Sequence, residues 1–124
     1  MTLPSPIVLI GFGSQAKAWA LNLRDSNQSI KIALRPGSPA VERAKAMGFE
    51  CIDLESESLK NYSLFLMLIP DDMHIKFFET NQSYISPGSH FIYAHGFSLS
   101  KERLHEKYAK FSHSISLFGR LLLY

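Results

Sequence analysis

Short apolar runs alternate along this chain with segments of mixed polarity. Ile7–Ile10 is continuously apolar and ends in Gly11, the pattern of a parallel strand buried on both faces. From Ser14 to about Asp25, small and apolar residues (Ala16, Ala18, Ala20, Leu21, Leu23) recur at helical spacing, and Ile30–Leu34 reads as a second strand. After a turn at Arg35-Pro36-Gly37-Ser38, Pro39 suits the first turn of a helix running to Met47, which Gly48 closes. Phe49–Ile52 predicts a short third strand and Leu54–Lys60 a brief helix. Leu64–Ile69 is apolar throughout and predicts a central strand ended by Pro70, with Asp71-Asp72 placed to cap a helix through about Thr80. Phe91–Ala94 and Ile115–Phe118 predict two more strands, with a charged helical stretch, Lys101–Lys110, between them. Strands alternating with helices predict an α/β fold, a doubly wound parallel sheet with right-handed crossovers.

Composition narrows the possibilities. A chain of 124 residues is the length of a single domain, which would occupy 1–124, and 46% hydrophobic residues suffice for a core. A separate catalytic domain does not fit that length. The net charge of +2 is too small and too dispersed for a nucleic-acid surface. Lys101–Lys110 reads as a solvated amphipathic helix. The one cysteine, Cys51, can form no intrachain disulfide and reads as a small buried strand residue. The N-terminus lacks a secretory pattern, and no apolar run approaches the ~20 residues that span a bilayer, so a soluble, cytoplasmic chain without membrane attachment is expected.

Two loops carry chemistry. Gly11-Phe12-Gly13-Ser14-Gln15-Ala16 is a G-x-G-x-x-A turn between a buried strand and a helix, the setting of a dinucleotide site. Gly11 would permit the tight turn, Gly13 the approach of backbone to a pyrophosphate, and Ala16 close packing of helix on sheet. Free N–H groups at the helix start would face the phosphates. A Rossmann-type sheet selective for NAD carries an acid at the end of the second strand; here that place holds Arg35, followed by Ser38. A guanidinium fork and a hydroxyl suit a 2′-phosphate, so NADPH is the expected cofactor.

Gly11-Phe12-Gly13-Ser14-Gln15, Ala20–Ser26, Leu34-Arg35-Pro36-Gly37-Ser38, Leu68-Ile69-Pro70-Asp71 and Ala94-His95-Gly96-Phe97 together resemble the N-terminal, NADP-binding domain of ketol-acid reductoisomerase, in that family's order, over about residues 7–98. That family isomerises and reduces acetohydroxy acids in branched-chain amino-acid synthesis. The resemblance implies that Gly11, Phe12, Gly13, Ser14 and Gln15 line the pyrophosphate. It implies that Arg35 and Ser38 hold the 2′-phosphate, and that Pro70 and Asp71 pass beside the adenosine. His95 would be the catalytic histidine near nicotinamide and substrate.

The sequence also departs from the family. Ala40 replaces a second phosphate-binding serine, and Met73-His74 stands where a glutamine is common. The tail 99–124 is atypical, with Phe118-Gly119-Arg120-Leu121 near the place of a proline-lysine-glycine-proline segment. The family's helical domain, which carries acidic ligands for two magnesium ions, has no counterpart here. Asp71, Asp72 and His74 read as a loop and helix cap, so no metal site is expected. The expectation is an NADP(H)-binding domain, truncated and inactive alone. The alternatives left open are a non-catalytic NADP(H)-sensing module and a small dimeric NADP-dependent reductase. An exposed sheet edge and an apolar C-terminus make a homodimer possible.

Overall fold

A computed structural model of the chain describes residues 6–94, 97–117 and 120–123. Its strands are β1 (Ile7–Ile10), β2 (Ile30–Leu34), β3 (Cys51–Asp53), β4 (Leu64–Met67), β5 (His90–Tyr93), β6 (Ser112–Leu117) and β7 (Arg120–Leu123). The helices are α1 (Ser14–Asp25), α2 (Pro39–Ala46), α3 (His74–Asn81), α4 (Phe97–Lys101) and α5 (Leu104–Lys107). The sheet order is β3-β2-β1-β4-β5-β6-β7, parallel up to β6.

The α/β, doubly wound architecture follows from side-chain alternation. Along β1, Ile7 and Leu9 point to one face, where they meet Ala16 and Ala20 of α1 and Ala40 and Ala44 of α2. Val8 and Ile10 point to the other, where Phe65, Phe91, Phe77 and Phe78 form an aromatic core with Leu99 and Leu104. Small residues let α1 and α2 lie close to the sheet, and rings fill the deeper opposite side. All four residues of β1 are at most 3% exposed, which is why the run reads as continuously apolar.

Several boundaries differ from those read in the sequence. β3 begins at Cys51, because the Phe49 N–H still donates to the Ala44 carbonyl (3.1 Å) in the closing turn of α2. The Phe49 ring packs edge-on against Phe12 at 5.9 Å, beneath the Arg24 guanidinium at 4.4 Å. The segment expected as a helix at 54–60 is a 3₁₀ turn, Glu57–Asn61. β4 stops at Met67, and β5 and β6 start at His90 and Ser112. Neither Asp71 nor Asp72 caps a helix through its side chain: residues 71–73 form a 3₁₀ turn, and α3 starts at His74. The stretch expected as one helix over 101–110 is broken where Arg103 takes a left-handed conformation (φ 52°), leaving α4 and α5. The last strand, β7, pairs antiparallel with β6. Only two residues of sequence separate them, far too few for a parallel crossover.

A buried polar chain fixes β5 against β6. Burial pushes the Tyr93 phenol far above its ordinary pKa, so it remains a donor, here to His113 Nδ1 at 2.8 Å. Because a carbonyl only accepts, His113 Nε2 carries a hydrogen and donates it to the Tyr108 carbonyl at 3.1 Å, and burial disfavours a second proton on Nδ1. Burial likewise lowers the pKa values of His74, His113 and His90. Groups with folded pKa values below the unfolded value of ~6.5 contribute stability that is complete above that value and is lost as pH falls toward the folded values. Urea denaturation should therefore give a plateau above about pH 7 and a decline below about pH 6. Tyr93→Phe, which orphans His113 Nδ1, should cost about 1–3 kcal/mol at pH 7.5.

Candidate functional site

The chain leaves β1 toward β2 and β3 on one side, and the sheet continues through β4 on the other, so the crevice above β1 and β4 is the topological switch point. Gly11 sits there with φ +102°, and a Cβ on it would lie 2.9 Å from Ile69 Cγ2. A side chain at position 11 would therefore have to take a left-handed backbone and push the Ile69 side chain aside. Gly13 is different. It is the N-cap of α1 with φ −79° and ψ −170°, and a Cβ there would meet nothing within 4 Å. Neither backbone geometry nor packing requires glycine at 13. What a side chain would fill is open space in a cavity.

That cavity, of about 640 Å³, is lined by every residue that the sequence assigned to a cofactor: Gly11, Phe12, Gly13, Ser14, Gln15, Arg35, Ser38, Pro70 and Asp71. His95 lies outside the described residues. At one end, α1 starts with no side-chain cap and no acid in its first turn, leaving the positive end of its dipole to the cavity. At another, Ser38 is the N-cap of α2, its Oγ accepting from the Ala40 N–H at 3.3 Å, which leaves its own O–H to donate outward. Arg35 makes no ion pair or side-chain hydrogen bond with any described residue. Asp71 Oδ1 is 3.9 Å from His74 Nε2. Burial lowers the His74 pKa, and its ring nitrogen is satisfied by the Ile69 carbonyl at 3.0 Å, so His74 serves the fold from beneath the cavity.

The cavity also holds residues that sequence reasoning missed: Arg43, Leu54, Glu55, Met73, Lys76, Phe77, Thr80 and Asn81 among them. Arg43 stands three residues after buried Ala40 on α2, a spacing that does not tell a cavity-facing arginine from a solvated one. Lys76 and Thr80, and Phe77 and Asn81, are i, i+4 pairs on one side of α3. Nothing in the sequence marks Glu55. Among the described residues no three His, Cys, Asp or Glu side chains are placed to hold a metal ion. Among them, too, no helix is long and apolar enough to cross a membrane.

A sheet ordered 3-2-1-4-5-6 with a glycine turn at its switch point is the architecture of dinucleotide-binding Rossmann domains. The family profile of the acetohydroxy acid isomeroreductase NADPH-binding domain matches residues 4–111, and the chain belongs to that family. The match reaches past residue 98, where the recognisable motifs stop. The ketol-acid reductoisomerase (NADP(+)) of Helicobacter pylori (strain Shi470) is 39% identical over 92 residues, 73% of this chain and 28% of that protein. The same-named protein of Xanthomonas oryzae pv. oryzae (strain MAFF 311018) is 39% identical over 97 residues, again 28% of its length. The chain thus spans little more than a quarter of these relatives. Two solved structures share the fold. One is an NADH-preferring ketol-acid reductoisomerase from an uncultured archean (TM-score 0.67, 21% identity, 88% of this chain, 34% of that one). The other is a semialdehyde dehydrogenase NAD-binding protein from Cupriavidus necator, in complex with calcium and NAD (TM-score 0.72, 20% identity, 88% and 39%).

The two glycines should separate cleanly in a stability measurement. Gly11→Ala forces a side chain into a left-handed conformation against Ile69 and should cost about 1–3 kcal/mol. Gly13→Ala meets no neighbour and should cost less than about 1 kcal/mol, the loss of a good N-cap residue. Equal losses in chemical denaturation would contradict this division.

Proposed function

We propose that the chain holds NADPH in this cavity and serves as the cofactor-binding part of a ketol-acid reductoisomerase. The observation that carries the reading is Gly13: a glycine the fold does not need, beside one it does, opening on a cavity whose far wall carries an unpaired arginine. The uncapped start of α1, with Ser14 and Gln15, would receive the pyrophosphate through backbone N–H groups. Arg35 would take the 2′-phosphate through its planar fork, with the Ser38 hydroxyl as a second donor. Pro70 and Asp71 would border the adenosine. Bound NADPH would supply a hydride. His95 would stand beside the nicotinamide as the catalytic residue, a role supported by the motif it shares with the family. Acetohydroxy-acid chemistry belongs to the much longer relatives, and its extension to this chain is part of the proposal.

Calorimetric titration tests the binding. NADPH should bind more tightly than NADH. Arg35→Ala removes a charge-assisted contact of about 1.5–3 kcal/mol and should weaken NADPH roughly tenfold or more while leaving NADH nearly unchanged. Equal losses for both cofactors would remove Arg35 from the 2′-phosphate.

Gly13→Val should abolish binding of both cofactors in a protein that remains folded, because a side chain would occupy the space that backbone and pyrophosphate must share. Wild-type affinity in folded Gly13→Val would put the cofactor elsewhere.

A further inference from the structure

One wall of the cavity is built with more care than the fold requires. The chain leaves β3 at Asp53, and the Leu54 N–H donates to the Leu34 carbonyl at 3.0 Å, which places Glu55 beside the end of β2. Glu55 adopts φ +57°, a conformation that a glutamate rarely takes and that glycine would take freely. It is held there by Asn81, only 2% exposed, whose Oδ1 accepts from the Glu55 N–H at 2.7 Å. The Asn81 amide is itself anchored, its Nδ2 donating to the Phe77 carbonyl and to Thr80 Oγ1, both at 3.0 Å. A buried side chain with its donors and acceptor all engaged thus fixes one strained backbone position. Strain of this kind persists where the surrounding structure over-determines it, and it gathers at ligand sites.

The effect is to hold an exposed carboxylate at the edge of the cavity. That carboxylate makes no ion pair or hydrogen bond with any described residue, although Lys76 and Arg43 line the same cavity. Leu54, Phe77 and Met73, the exposed large hydrophobic side chain among the described residues, add apolar surface to the same lining, alongside the polar Lys76, Thr80 and Asn81. Apolar side chains beside an unpaired carboxylate suit a planar heterocycle that carries an exocyclic amino group. An adenine offers both, through its faces and its N6 amino group.

We propose that Glu55 is a base-reading residue: its carboxylate accepts a hydrogen bond from the N6 amino group of the cofactor's adenine, seated between Met73 and Leu54. This rests on the reading that the cavity binds NADPH, and it adds selection of the base to the selection of the 2′-phosphate by Arg35. Hypoxanthine, with a carbonyl in place of the amino group, would set two acceptors against each other.

Titration with NADPH and its hypoxanthine analogue, deamino-NADPH, tests this. The wild-type chain should prefer NADPH by about tenfold, the worth of a charge-assisted hydrogen bond. Glu55→Gly relieves the strained φ while removing the carboxylate, so it should fold at least as well and bind the two cofactors equally. Glu55→Gln should accept both, because its amide can accept from the amino group or donate to the carbonyl. Binding of NADPH that depends on Gly13, with a wild-type preference near one or a preference unchanged in Glu55→Gly, would overturn the role of Glu55 alone. No binding of NADPH by the wild-type chain would overturn the reading of the cavity and this role with it.

Discussion

The close approach of Gly11 to the segment after β4 is the constraint on which the rest of this structure depends. β1 and β4 are paired in register, Ile10 beside Met67, so their ends reach the same level of the sheet. Gly11 then turns with φ +102°, its α-carbon against the Leu68-Ile69 segment, and α1 departs to one side while Pro70 leads to α3 on the other. A side chain at position 11 would meet the Ile69 methyl group and carry a left-handed backbone that glycine alone takes freely. The crevice is therefore not carved from a finished domain. It is the space left when two neighbouring parallel strands send their successors to opposite faces.

This geometry explains which features could be read from the sequence. Strands buried on both faces must be apolar throughout, so β1 and β4 stood out, β2 was marked by its buried apolar end Ile32–Leu34 despite Lys31, and the alanines of α1 and α2 marked the helices that approach the sheet closely. The glycine turn, Arg35 and Ser38 were legible because strand, turn and helix follow one another along the chain, where local spacing carries the information. Arg43, Lys76 and Glu55 were not, since each comes to the cavity through a fold-level crossing: α2 over β2, α3 beneath β4, and the exit from β3 beside β2. No local pattern distinguishes an arginine facing a cavity from one facing water. The Glu55 conformation was further hidden because it depends on Asn81, twenty-six residues away along the chain.

The same distinction between local and long-range causes governs the misplaced boundaries. Phe49 has the composition of a strand residue, yet it serves the closing turn of α2, where Phe12 and Arg24 cover its ring. Arg103 has good helix propensity and still breaks a helix, because Leu104 and Phe111 must both reach the core beside β5 and β6. In each case burial of a ring or an aliphatic chain outweighs a preference worth only tenths of a kcal/mol per residue.

Stability and ligand recognition share apolar residues but divide the polar ones. The two cores, aliphatic beneath α1 and α2 and aromatic beneath α3, include Phe12, Phe77, Ala40 and Leu54, each of which also lends a surface to the cavity. The charged groups at the rim, Arg35, Arg43, Lys76 and Glu55, have no partners among the described residues and add nothing to the packing. Charges left unpaired along one concave wall repel or idle until something of complementary charge and shape lies between them. A polar side chain spent on the fold behaves otherwise: His74, His113 and Asn81 are buried and fully engaged. That contrast separates two kinds of polar residue in one small domain. Those that are buried and satisfied hold the walls in place, and those that are exposed to the cavity and unsatisfied are the ones a cofactor would meet.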